Sequence, residues 1–180
     1  MKVEKTFIEG LLIIQPTIFG DHRGYFFESF RKDALKEAGV EWEFVQDNQS
    51  MSKKNILRGL HFQAPPVAQG KLVQVIKGAV LDVVVDIRKD SATYGQHFKI
   101  ELTEKNKTIF WIPPGFAHGF LTLADDTIFS YKCTDYYNPK AEGSVNWNSP
   151  SLKIDWGIEN PILSEKDALA VNFTELISPF

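Results

Sequence analysis

Short runs of alternating apolar and polar residues fill the middle of the chain, broken by Gly, Pro and Asn. The breaks recur at intervals of about 8–12 residues, the spacing of antiparallel strands in a sandwich or barrel. Predicted strands are Ile56 to Phe62, Lys71 to Lys77, Ala79 to Ile87, His97 to Leu102, Thr108 to Ile112, Phe116 to Leu123 and Thr127 to Cys133. Ile8 to Gln15 reads as a strand with a glycine break, Gly20 to Gly24 as a turn, and Tyr25 to Phe30 as strand-like. Val83, Val84 and Val85 lack alternation, so their strand is expected to be covered on both faces. Arg31 to Ala38 predicts a short helix with Ala34, Leu35 and Ala38 on one face and Gly39 just past its end. Beyond Cys133 the pattern is less regular. Leu163 to Ala168 predicts a second short helix, with Ser164 as N-cap and Asp167 at its third position. No repeat of fixed period and no low-complexity segment interrupts this order. The expected fold is mainly β, an antiparallel barrel with a few short flanking helices.

Composition narrows the class. The chain has 180 residues, 43% hydrophobic and 24% charged, which predicts one soluble domain spanning 1–180. Twenty basic against 23 acidic residues give a net charge of −3, which argues against a nucleic-acid binder but leaves room for a local basic cleft. Cys133 is the single cysteine, so an intramolecular disulfide and a multi-cysteine zinc module are excluded. That fits a reducing cytoplasm. The N-terminal residues lack the apolar core of a signal peptide, and no run approaches the roughly 18 apolar residues of a membrane span. A cytoplasmic protein with no membrane partner is expected.

Few residues offer chemistry. The four histidines are His22, His61, His97 and His118. His61 lies in Arg58-Gly-Leu-His-Phe-Gln63, followed by a Pro-containing loop and by Lys71. Strict alternation places Arg58 and His61 on opposite faces, so a shared site requires a bulge, for which Gly59 is the natural place. His118, in Pro113-Pro-Gly-Phe-Ala-His-Gly119, fits a satisfied histidine beside a turn as well as a site residue. Tyr131 sits in a strand between polar neighbours. Tyr136 and Tyr137 form an aromatic pair that either stacks on a flat ligand or covers the barrel end. Asp82 and Asp86 share a face of an apolar strand and need partners: a histidine, an Arg or Lys, or solvent. His61 and His118 lack the further ligands of a metal site, so no catalytic metal is expected. No Gly-rich strand-to-helix phosphate loop is present.

Taken in order, these segments resemble the dTDP-4-dehydrorhamnose 3,5-epimerase family of cupin-fold sugar-nucleotide epimerases. The resemblance rests on Asp21-His-Arg-Gly-Tyr-Phe-Phe-Glu28, Gln46-Asp-Asn-Gln-Ser50, Leu57-Arg-Gly-Leu-His-Phe-Gln63 and Gly70-Lys-Leu-Val-Gln-Val75. It continues through Asp82-Val-Val-Val-Asp86-Ile-Arg88, Trp111-Ile-Pro-Pro-Gly-Phe-Ala-His-Gly-Phe120, Tyr131-Lys-Cys133, Tyr137-Asn-Pro139 and Leu163-Ser-Glu-Lys-Asp167. It implies a cupin-type jelly roll and cofactor-independent double epimerisation of dTDP-4-keto-6-deoxy-D-glucose, at C3 and C5, in dTDP-L-rhamnose biosynthesis. By resemblance His61 is the base, Asp167 its acidic partner, Tyr131 the proton donor and Lys71 the cation at the keto oxygen. Arg23, Arg58 and Lys166 match residues holding the nucleotide or sugar. Glu28, Gln46, Asp47, Asn48, His118 and Glu142 match further ligand contacts, and Tyr137 matches the aromatic at the thymidine end. The family implies a homodimer in which Arg23 and Glu28 serve the neighbour's site. A mono-epimerase or ketoisomerase is the alternative on the same residues. A non-catalytic sugar-nucleotide-binding barrel would not need both His61 and Tyr131. A metal-dependent oxygenase is disfavoured by the missing ligands. The segment Ala168 to Leu176 is less family-like.

Overall fold

The β-branched and aromatic runs pair into two antiparallel sheets. The structure, a computed structural model, describes all 180 residues. The strands are β1 (Lys2–Lys5), β2 (Leu12–Gln15), β3 (Phe19–Asp21), β4 (Gly24–Phe26), β5 (Gln46–Ser52), β6 (Leu57–Gln63) and β7 (Lys71–Lys77). They continue with β8 (Ala79–Asp86), β9 (His97–Thr103), β10 (Ile109–Ile112), β11 (Phe116–Thr122), β12 (Thr127–Cys133) and β13 (Glu142–Ser144). One sheet runs β1-β2-β10-β7-β12-β5 and the other β13-β6-β11-β8-β9, while β3 and β4 form a separate hairpin. This is the jelly-roll arrangement expected for a cupin-type barrel. No helix is long and apolar enough to cross a membrane.

The inner faces of the two sheets meet in one core. Val73 and Val75 of β7, Phe110 of β10 and Phe129 of β12 pack on Val80 and Val84 of β8 and on Phe116 and Phe120 of β11. Each outer face has its own cover. Helix α1 (Lys32–Glu37) lays Leu35 and the following Val40 over Leu12, Ile14, Leu72, Ile109 and Trp111. The C-terminal segment brings Val145, Leu152 and Trp156 against Leu57, Leu60, Val83, Val85 and Leu121. Val84 therefore faces one core and its two neighbours another, which explains the unalternating valines. Helix α2 (Glu165–Ala168) starts at Ser164, and α1 ends before Gly39, whose φ of +89° suits glycine.

The differences from the sequence reading have local causes. Ile8 to Leu11 turns instead of extending, with Gly10 at φ +97° and Leu11 N–H donating to Ile8 O. Of Tyr25 to Phe30 only Tyr25 and Phe26 extend, at the end of β4. Strand β5 was not predicted, because its sequence Gln-Asp-Asn-Gln-Ser-Met-Ser has no apolar alternation. Its inner face looks into a polar cavity, so the alternation is there but between two kinds of polar residue.

Candidate active site

The site begins with a bulge. In the β6–β11 pair Leu57 faces Leu121 and Arg58 faces Phe120, then the register shifts so that His61 faces His118. Gly59 and Leu60 together oppose the single residue Gly119. One extra residue reverses the parity of the strand. Arg58 and His61 then share the inner face, while Leu57 and Leu60 both pack outward. Gly59 sits at φ +135°, and a Cβ there would fall on the backbone of Gly119. Only glycine allows this approach.

Register fixes the other walls. On β12 and β5 the inner partners are Phe129 with Ser50, Tyr131 with Asn48, and Cys133 with Gln46. Lys71 of β7 faces Cys133. Glu142 of β13 faces Gln63, and Ser144 faces His61. The result is an open cavity with two lobes of about 330 and 220 Å³ that share Asn48, His61, Lys71 and Tyr131. Phe120 and Phe129 stack at 4.1 Å between centroids and form its apolar wall.

Helix α2 closes one side. His61 Nε2 lies 2.5 Å from Asp167 Oδ1, and Ser164 Oγ donates to Asp167 Oδ2 at 2.9 Å. Burial pushes the Asp167 carboxyl up, but the hydrogen bonds from His61 and Ser164 and the charge of Lys166 hold it below the ordinary carboxylate range. A carboxylate at Nε2 places the ring proton there, which leaves the Nδ1 lone pair free of any protein hydrogen bond. Lys166 pairs with Glu142 at 2.5 Å, and the Tyr137 hydroxyl donates to Glu142 at 2.7 Å. Burial raises the Glu142 carboxyl, yet these two donors bring it below its usual value.

Two further groups are tuned by enclosure. Lys71 makes no ion pair, and burial lowers its pKa against the opposing pull of Cys133, Asp82 and Glu142. Burial raises the Tyr131 phenol, keeping it a proton donor at neutral pH. His118 Nε2–H donates to Asp82 at 2.9 Å. Burial, with the charge of Lys71, outweighs the Asp82 anion and keeps this imidazole neutral at pH 7. No group of three or more His, Cys, Asp or Glu side chains is arranged to hold a metal ion. A base with its orienting carboxylate, an acid and an unpaired cation around one cavity suit proton abstraction beside a carbonyl.

A family model described as dTDP-4-dehydrorhamnose 3,5-epimerase matches residues 5–175. The chain belongs to the dTDP-4-dehydrorhamnose 3,5-epimerase family. The member from Salmonella typhimurium is 52% identical over 172 residues, 94% of each chain. The crystal structure of dTDP-6-deoxy-D-glucose-3,5-epimerase from Legionella pneumophila Philadelphia 1, in complex with dTDP-4-keto-L-rhamnose, is 48% identical. It superposes with a TM-score of 0.93 over 97% of this chain and 94% of that one. ChmJ, a 3'-monoepimerase from Streptomyces bikiniensis in complex with dTDP-quinovose, is 35% identical, with a TM-score of 0.89 over 93% of this chain and 85% of that one.

Within this family fold, most of the expected site residues gather at the cavity. His61, Asp167, Tyr131, Lys71, Arg58, His118, Asn48 and Lys166 line its larger lobe, and Gln46, Tyr137 and Glu142 line the smaller. Three do not reach it. Asp47 shares the outer face of β5 with its register partner Lys132 and pairs with it at 2.8 Å. Arg23 lies on the exposed β3–β4 hairpin and pairs with Asp21, and Glu28 faces Arg31 at 3.6 Å. The open alternatives resolve individually. Asp82 orients a histidine, whereas Asp86 binds Arg88, Ser91 and Thr93. Tyr137 reaches the cavity and Tyr136 does not. Sequence reasoning missed Ser50 and the Phe120–Phe129 wall; their signal is the period-two spacing of Phe129 before Tyr131 and of Ser50 after Asn48.

Proposed function

We propose that the protein is a dTDP-4-dehydrorhamnose 3,5-epimerase. It inverts C3 and C5 of dTDP-4-keto-6-deoxy-D-glucose on the way to dTDP-L-rhamnose. The observation that carries the reading is the His61–Asp167 pair sharing one cavity with Tyr131 and the unpaired Lys71.

The C3 and C5 hydrogens flank the ketone and leave as protons. His61 Nδ1 takes each one, and Asp167 stabilises the imidazolium that forms. The electron pair moves to the keto oxygen, where the Lys71 ammonium meets the enolate. One such donor is worth about 3 kcal/mol in the transition state. Tyr131 returns a proton to the opposite face and inverts the centre. No redox partner is needed. Arg58 carries no carboxylate partner and hydrogen-bonds only Ser52, so its fork is available for the diphosphate or sugar. Lys166, Asn48, Gln46, Glu142 and His118 complete the ligand contacts, with Tyr137 at the thymidine end.

The reading includes a homodimer. Its support is that Arg23 and Glu28 stand away from their own cavity, beside the exposed Phe19, Tyr25 and Phe26 of the hairpin. Asp47 joins them as a contact facing outward. It also includes a single domain over 1–180 and a cytoplasmic setting, for which the buried free thiol of Cys133 is the support.

Proton NMR of the 4-keto-6-deoxyglucose nucleotide in deuterated water tests this. Deuterium entering both C3 and C5, with an L-lyxo product trapped by a 4-keto reductase, is the expected result. Exchange at one centre makes the protein a mono-epimerase, the activity that ChmJ carries. A moved carbonyl makes it a ketoisomerase.

A further inference from the structure

Asp167 depends on a neighbour that the reaction itself does not use. Its carboxylate is nearly fully buried, on a helix of only four residues. One oxygen, Oδ1, meets His61. The other, Oδ2, is served by the Ser164 hydroxyl at 2.9 Å. The same hydroxyl accepts the Asp167 backbone N–H at 3.1 Å. Ser164 therefore holds Asp167 at two points, the main chain and the far carboxylate oxygen. A serine hydroxyl has one proton, and this one is committed to Oδ2. It has none left for a ligand, although Ser164 borders the cavity.

We propose that Ser164 is a positioning residue of the reaction, acting through Asp167 to set the orientation of His61. This rests on the proposed role of the His61–Asp167 pair. With both oxygens anchored in different directions, the carboxylate plane cannot rotate about the Cβ–Cγ bond. Oδ1 stays directed at Nε2, and Nδ1 stays the unprotonated nitrogen. Without the hydroxyl, Oδ2 is left without a donor in a buried place, and the carboxylate turns to share its remaining donors. The His61 ring then loses its single tautomer.

Capping and positioning separate by substitution. Glycine is a fair N-cap, so Ser164→Gly keeps the helix start while removing the hydroxyl. Ser164→Thr keeps both functions, and the exposed position leaves room for the methyl. For Ser164→Gly, kcat is expected to fall about tenfold or more, equivalent to about 1.4 kcal/mol, with KM changed by less than about threefold. Ser164→Thr should recover most of the rate. Nitrogen-15 histidine NMR, with His61 assigned by its absence in His61→Asn, should show the Nε2–H tautomer in the natural protein and in Ser164→Thr. Ser164→Gly should give a mixture. The NMR readout needs no turnover, so it stands even where the substrate proposed above is not converted. A Ser164→Gly protein with unchanged kcat or an unchanged single tautomer overturns the proposal. So does a loss of rate that appears only together with a lowered Tm and that threonine does not rescue, which marks a cap and nothing more.

Discussion

His61 Nε2 stands 2.5 Å from Asp167 Oδ1 across 106 residues of chain. The contact gives the ring one tautomer and one orientation. Asp167→Asn replaces the anion by an amide of the same shape, which can donate to Nε2 and invert the tautomer. The expected loss in kcat is about 10³- to 10⁴-fold, the scale of the same change in other carboxylate–histidine pairs. Affinity for thymidine diphosphate should stay within about threefold, since Asp167 faces His61 and Ser164. Steady-state kinetics with calorimetric titration decide. A loss below tenfold separates the carboxylate from catalysis.

Tyr131 divides exchange from inversion. If His61 removes the proton and Tyr131 delivers the new one, Tyr131→Phe leaves an enolate that is reprotonated only from the His61 side. Deuterium should then enter the sugar without a change of configuration. NMR in deuterated water reads both at once. Inversion at the natural rate in Tyr131→Phe assigns the acid to another group.

The bulge at Gly59 is what brings Arg58 and His61 to one face. Gly59→Ala adds a Cβ against the Gly119 backbone in addition to the strain of φ +135°. Gly24 has nearly the same φ, +133°, but open space around it. Gly24→Ala should cost about 1 kcal/mol from strain, and Gly59→Ala about 3 kcal/mol or more. Urea unfolding of the two variants isolates the close approach. Equal costs would show that the strands separate freely at this point.

Legibility followed chemistry. Strands β7 and β12 have the predicted bounds because their runs of β-branched, Leu and aromatic residues stop at turn residues, Gly70 and Gly78 around β7 and Asp125-Asp126 before β12. The need for a bulge at Gly59 was readable from parity, and the Ser164 cap from residue type. Strand β5 was hidden because its inner residues serve a polar cavity. The His61–Asp167 contact came from family resemblance, since no local spacing links residues so far apart. The Asp82–His118 bond depends on β8 and β11 lying side by side, which a single strand cannot reveal. Asp47 was carried over with its neighbours Gln46 and Asn48, although alternation alone turns it to the other face of the strand.

Asp86 links the fold to pH. Burial raises its pKa, but bonds from Arg88, Ser91 and Thr93 overcome this and hold it at about 2, below the ordinary 3.8. A folded pKa below the unfolded one means stability that is complete above about 4 and lost as pH falls through about 2, worth about 2 kcal/mol. Asp86→Asn removes this acid-sensitive share. Its deficit against the natural protein in urea melts should be largest at pH 7 and shrink towards pH 2. A deficit independent of pH would remove Asp86 from the acid response.

Enclosure moves Lys71 and Tyr131 in opposite directions: the ammonium falls from 10.5 and the phenol rises from 10.0. Both shifts favour Lys71 over Tyr131 as the group that loses its proton as pH rises. The alkaline limb of kcat/KM should lie below pH 10.5 and report the loss of the cation at the enolate oxygen, not ionisation of the acid. Lys71→Arg carries a charge that does not titrate in this range, so the limb should move out while kcat falls, because a planar fork replaces a point charge. In Tyr131→Phe the residual deuterium exchange should keep the limb where it is. A limb that vanishes in Tyr131→Phe and persists in Lys71→Arg would reverse the two assignments, placing the titrating group on the phenol and the fixed charge elsewhere in the cavity.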